Sequence, residues 1–193
     1  MPRMAFLSIL LAASLAAAMP SGAAEPPPSE VVVVTATDAA WEITVPVAHA
    51  TLVVPRGGFQ SAEHDKGGAM SSPRYFRLED TTHGETIVSG WFESAERVKN
   101  VEEMLQSSWK GESQGLARAG VTPEAVESGH IGGWATITWE AHLPAGTSVH
   151  VRASRIVADT WIDLHLSITS TAKAEESKAA VTKLLESLTV RQR

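Results

Sequence analysis

Residues 133–169 read GWATITWEAHLPAGTSVHVRASRIVADTWIDLHLSIT. Three runs rich in β-branched and aromatic residues, 133–143, 147–157 and 160–169, are separated by Pro144-Ala145-Gly146 and by Ala158-Asp159. Such runs, broken by short turn signals, predict three consecutive antiparallel strands. Their register follows from the apolar pattern, because a slip of one residue turns every side chain over. In the third run Ile162, Leu164, Leu166 and Ile168 point one way, and Val149, Val151 and Ala153 of the second must join them. A tight turn at Ala158-Asp159 sets Val151 opposite Leu166. Ala135, Ile137, Trp139 and Ala141 are assigned to the same face. A three-residue loop Pro144-Ala145-Gly146, with the glycine left-handed, sets Trp139 opposite Val151.

The opposite face then carries the rows Glu140–His150–Ser167, Thr138–Arg152–His165, Thr136–Ser154–Asp163 and Trp134–Ile156–Trp161. One reading is the solvated side of a half-buried sheet, with Arg152 and Asp163 as a diagonal surface ion pair of little worth. The other is a binding face. Glu140, His150, Arg152, Asp163 and His165, closed at one end by Trp134 and Trp161, have the chemistry to hold a metal or an anionic small molecule. Against a metal, no two histidines lie directly opposite, and a transition-metal site usually needs three converging ligands.

Upstream, the apolar β-branched residues 31–34 predict a first strand, at an edge. Residues 42–45 and 51–54, around Pro46-Val47-Ala48-His49, predict a hairpin that Pro55-Arg56-Gly57-Gly58 ends. Residues 60–73 read as a long loop. Strands are expected at 74–80 and 85–92. Ser94 is expected to cap a helix in which Val98, Val101, Met104, Leu105 and Trp109 recur at helical spacing, and Gly111 to stop it. A short helical turn is expected after Pro123. A last helix spans 173–188, with Val181, Leu184, Leu185 and Leu188 as its buried stripe. The fold class is therefore α/β of the α+β kind: a central antiparallel sheet with N-terminal hairpins, a middle helix, the three-strand meander and a C-terminal helix.

The N-terminus gives an address. Arg3 precedes an apolar run, 4–18, broken only by Ser8 and Ser14, and Pro20-Ser21-Gly22 leads to Ala23-Ala24. That order predicts a secretory signal peptide, 1–24, cleaved after Ala24 or, alternatively, after Ala23. The run is too short to span a bilayer, so no integral membrane segment is expected after cleavage. A proline-rich leader, 25–30, precedes a single domain, 31–193, that is periplasmic or secreted. From Glu25 onward the chain has 15 basic and 22 acidic residues, a net charge of −7, with no basic stripe. A nucleic-acid partner is not expected. The absence of cysteine excludes disulfides, thiolate metal sites, thiol catalysis and an N-terminal lipid anchor.

Known catalytic patterns find no supporting context. Gly111-Glu112-Ser113-Gln114-Gly115 matches G-x-S-x-G, but a helix rather than a strand precedes it, and the chain is short for that fold. Gly129-His130-Ile131-Gly132-Gly133 leads into a strand, so it is not a dinucleotide fingerprint. His64, Asp65 and His83 fall in loops. No cofactor is expected.

The chain resembles the PsbP-like family, including the bacterial DcrB-like periplasmic proteins. The resemblance rests on Ile43-Thr44-Val45-Pro46 through Pro55-Arg56-Gly57-Gly58-Phe59 and on Ser89-Gly90-Trp91-Phe92-Glu93-Ser94-Ala95. It continues in Gly132-Gly133-Trp134-Ala135, in Trp161-Ile162-Asp163-Leu164-His165-Leu166 and in Leu184-Leu185-Glu186-Ser187-Leu188. It implies a sandwich with helices on both sides of an antiparallel sheet, and a binding or accessory role. A helix layer on both faces agrees with a wet polar face only if that layer rests on the Trp134–Ile156–Trp161 end. The expectation is an exported, non-enzymatic envelope protein that binds a protein partner or small ligand. The alternatives are a metal-binding or hydrolytic enzyme using Glu140, His150, Asp163 and His165, and a structural accessory subunit.

Overall fold

Short polar breaks between apolar runs give this chain many strands, and every pairing among the described residues is antiparallel. The computed structural model describes residues 30–62, 72–82, 85–144 and 146–193. The expected signal peptide, residues 25–29 of the leader, most of the 60–73 loop, and His64, Asp65 and His83 lie outside these residues.

Strands β1 (Val33–Ala36), β2 (Ala40–Thr44) and β3 (Ala50–Pro55) form the N-terminal meander. Here β1 is an edge, as expected, and pairs Val34 with Ile43. Strands β4 (Gln60–Ser61), β5 (Tyr75–Asp80) and β6 (Glu85–Ser94) follow. The middle helix α1 is Val101–Arg118, and β7 is Glu124–Ile131. The read meander is β8 (Trp134–Leu143), β9 (Gly146–Val157) and β10 (Thr160–Ser170). Helix α2 (Ala174–Ser187) and a short β11 (Thr189–Gln192) close the chain. One sheet runs β1-β2-β3-β11, the other β4-β5-β6-β10-β9-β8-β7.

One face of the large sheet packs on the small sheet and α2. Ile43, Leu52, Phe76, Phe92, Val151, Leu164, Leu166, Val181 and Leu185 form that core, each under 2% exposed. The other face carries α1, through a smaller cluster of Leu105, Leu116, Ala135, Ile137 and Trp139 with Val101, Trp109 and Val121 at its margin. The fold is an α+β sandwich, as expected.

Sequence expectations are corrected in two places. Helix α1 starts later and ends later than the pattern around Ser94 and Gly111 suggested. Asn100 is the cap, its Oδ1 accepting from the Glu103 amide at 3.1 Å. Gly111 is tolerated inside the helix, where glycine costs about 1 kcal/mol relative to alanine. The true stop is Gly120 at φ +74°. There the Gly120 amide donates to the Ala117 carbonyl and the Val121 amide to the Leu116 carbonyl, a Schellman ending. Beyond it, residues 124–131 are an edge strand, not a helical turn.

The second correction is the register of β8 against β9. The β9–β10 pairing is as read, with Val151 opposite Leu166. In β8, however, Trp139 lies opposite His150 and Thr138 opposite Val151, one residue away from the expected pairing. Leu143 pairs with Gly146, leaving two residues between the strands rather than three. Gly146 sits at φ +136°, and a Cβ there would lie 2.3 Å from the Ser170 carbonyl oxygen, so only glycine fits. The expected pairing gathered Ala135, Ile137, Trp139 and Ala141 on the face of Val151 and Leu166, which suits a sheet largely wet on its other side. Here both faces of β8 are covered, so each can be apolar.

Candidate functional site

The slip in β8 rebuilds the polar array. Its rows become Trp139–His150–Ser167, Ile137–Arg152–His165 and Ala135–Ser154–Asp163. Glu140 and Trp134 therefore leave the array for the opposite face. Trp134 is fully buried in the main core, with the Arg155 guanidinium 5.9 Å from its ring centroid. Trp161 keeps its place on the Asp163 side, next to Ile156. His150, Arg152, Asp163 and His165 stay together, but under and beside α1 rather than on an open wet face.

Two groups make up the array. The first is an ion triad. Arg152 donates through Nε and Nη2 to the two oxygens of Asp163, the Nε contact being 3.2 Å, and through Nη1 to Glu112 at 2.7 Å. The Ser154 hydroxyl also donates to Asp163, at 3.1 Å. The side chains of Glu112, Asp163 and Arg152 are 4%, 5% and 12% exposed, so this is not the weak surface pair the wet-face reading expected. The Trp91 ring centroid lies 5.9 Å from the guanidinium. Burial pushes the carboxyls of Glu112 and Asp163 up, and Arg152 pulls both back down. The two carboxylates in turn hold Arg152 above its usual range, against burial.

The second group is a histidine pair. His150 Nδ1 and His165 Nε2 are 3.1 Å apart, and the rings are parallel within 1°. One nitrogen must donate and the other accept, so the contact suits neutral rings or a single shared proton. The Trp139 indole lies parallel to both, with centroids 4.9 and 5.6 Å away, and Trp109 of α1 packs on it at 4.7 Å. Burial, then the charge of His165, lowers His150 well below 6.5. Burial, then Arg152 and Arg77, lowers His165 to about 3. Arg77 reaches this row from β5, paired with Glu79 and, at 4.0 Å, with Glu85.

Glu112 is the residue the sequence reading passed over. Val101, Leu105, Trp109, Glu112 and Leu116 keep a three- or four-residue spacing, so carrying the stripe past Gly111 places Glu112 on the inner face. Trp139 was assigned to the wrong side for the same reason that the register slipped. Among the described residues, no group of three or more His, Asp and Glu side chains is placed to hold a metal ion. With Glu140 on the opposite face, the four residues of the enzymatic alternative do not converge.

An open cleft of about 480 Å³ lies at the end of this face. The start of α1 and the residues just before it wall one side with Lys99, Asn100, Val101 and Glu102, and His130, Gly133, Ala135, Ser154, Arg155 and Ile156 line the rest. His130 Nε2 is 3.2 Å from Glu102 across it.

No family model matches the chain, and no curated protein matches it. Among solved structures the chain is similar to the solution structure of cyanobacterial PsbP from Synechocystis sp. PCC 6803. The TM-score is 0.50 at 12% identity, over 90% of this chain and all of that one. A crystal structure from Bacteroides thetaiotaomicron VPI-5482 matches at TM-score 0.43 and 10% identity. That match covers 75% of this chain, and the chain spans 46% of that structure's length. The chain has a PsbP-like fold. Among the described residues no helix is long and apolar enough to cross a membrane.

Proposed function

We propose that this chain is an exported accessory domain of the bacterial envelope, similar in role to DcrB-like periplasmic proteins, that binds a partner protein or small ligand without turning it over. The signal-peptide pattern at 1–24 supports export. One observation carries the rest. Arg152 is hydrogen-bonded to Asp163 and Glu112, and His150 to His165, so the polar groups of the array are taken up within it, with Glu112 of α1 among them. A cleft at its end is open to a foreign group. That cleft joins charged walls at Lys99 and Glu102 to an apolar patch at Ala135 and Ile156, the latter 38% exposed. Its lining is mostly polar, with Asn100, His130, Ser154 and Arg155 beside the charged walls, which suits a polar or charged group.

Native mass spectrometry of the mature protein from its own envelope tests this reading. A reproducible extra mass is expected, lost in Ile156→Glu and Lys99→Glu. Retention of the mass in both variants would move the site elsewhere. A bare monomer with no partner captured by cross-linking would remove the reading.

A second reading, a structural contact through an edge strand, is favoured by β1. Its backbone edge is unpaired by any described strand, and Val31 and Val33 are 37% and 43% exposed. Loss of a partner on deleting residues 31–37, with the cleft variants still competent, would select it.

A further inference from the structure

Glu112 and Asp163 share one guanidinium where water barely reaches. Two carboxylates against one guanidinium leave one negative charge in excess. A poorly solvated interior disfavours an uncompensated charge and favours proton uptake instead. The two carboxyls are not equivalent. Asp163 accepts three donors: Nε–H and Nη2–H of Arg152, and the Ser154 hydroxyl. Among the described residues Glu112 accepts one, Nη1–H of Arg152. Donated hydrogen bonds favour the charged form, so the proton belongs on Glu112.

The neighbours do not supply the missing positive charge. On α1 the other charged residues, Glu102, Glu103, Lys110 and Arg118, are exposed. Arg77 is engaged by Glu79 and Glu85 on the far side of His165, and Glu93 is held by Arg74. His150 and His165 are kept neutral by burial.

We propose that Glu112 is carried as the neutral acid, and that its proton is the latch that seats α1 on the sheet. The neutral acid still accepts from Arg152 through its carbonyl oxygen, and the triad then carries no net charge. Losing the proton restores a buried negative charge beneath a helix whose own buried apolar side chains are Leu105 and Leu116. Burial pushes the Glu112 carboxyl up from 4.5, the direction this requires. A carboxyl raised in the folded state contributes stability that is complete below its unfolded value and lost as pH rises through the folded one. The two histidines act oppositely, so the latch is read as a difference between two proteins.

The experiment is hydrogen exchange at the α1 amides of the mature chain and of Glu112→Gln, between about pH 5 and 8. It is paired with infrared detection of protonated carboxyl at about pH 6, above the ordinary carboxylate range of about 4. The opening constant of α1 should rise with pH more steeply in the wild type, by up to about tenfold per pH unit, than in Glu112→Gln. The wild type should show a protonated carboxyl that Glu112→Gln lacks. Equal slopes in the two proteins would overturn the latch. A protonated carboxyl that survives in Glu112→Gln would overturn the assignment to Glu112. The infrared spectrum of the wild type does not depend on the variant's folding, and no protonated carboxyl there would overturn the proposal by itself.

Discussion

The two faces of the large sheet solve the same problem in opposite ways. Toward α2 and the small sheet the contact is mainly aliphatic and aromatic, with Val151, Leu164 and Leu166 wholly inaccessible. Toward α1 the apolar contact is small, and the centre of the interface is an ion triad beside a histidine pair. The first face is held by burial of apolar area, which does not itself titrate with pH. The second depends on hydrogen-bond geometry and protonation state. Elements with little apolar burial open before well-buried ones, so α1 is expected to open before the strands of the main core.

Substitutions that attack each face separately test that contrast. Arg152→Ala leaves the buried carboxyls of Glu112 and Asp163 without their donor and should destabilise by about 3–5 kcal/mol. Denaturant melts should show the loss, with α1 amides losing protection before the core. Leu164→Ala, on the apolar face, should cost about 2–5 kcal/mol through lost burial and a cavity. Its loss should be the same at pH 5 and 7, whereas that of Arg152→Ala should change with pH.

The histidine pair makes the contrast visible in acid. His165 is held near 3 in the fold against 6.5 when free. The unfolded chain therefore binds the extra proton between those values, and stability falls as pH drops through that window. Urea midpoints of His165→Gln should fall less steeply with acid than those of the wild type. An unchanged slope would place the acid sensitivity elsewhere. Asn100→Ala removes the α1 cap and should cost about 1 kcal/mol, confined to α1 amides. Lys178→Ala, which breaks the exposed pair with Glu127 between α2 and β7, should cost less than about 1 kcal/mol. A larger loss there would mean that the apolar face also leans on surface charge.

Much of the fold was legible because its signals are local. The β2–β3 hairpin, strands β5 and β6, the β9–β10 pairing through Ala158-Asp159, and the stripe of α2 all follow from periodicity and turn chemistry. Strands β4, β7 and β11 carry little apolar pattern and exist because a neighbour offers hydrogen bonds. The candidate site was legible in half. His150, Arg152, Asp163 and His165 share one face of β9 and β10 whatever β8 does. Glu112 was hidden by a glycine that usually ends helices, and Glu140 and Trp134 were misplaced by the slip in β8.

Residue order alone settles that β9 and β10 present alternate apolar and polar sides, because side chains alternate at every residue along a strand. It equally settles where chain reversal is cheap. It does not say whether a polar side meets water or protein, since a row of Ala135, Ile137 and Trp139 is compatible with either face of β8. Packing decided that. Once α1 covers the outer face, the apolar row of β8 gains by turning toward it, and Arg152 is enclosed with two carboxylates instead of being solvated. The charge that looked like surface became the centre of an interface, because burial is a property of the assembled layers and not of any single strand.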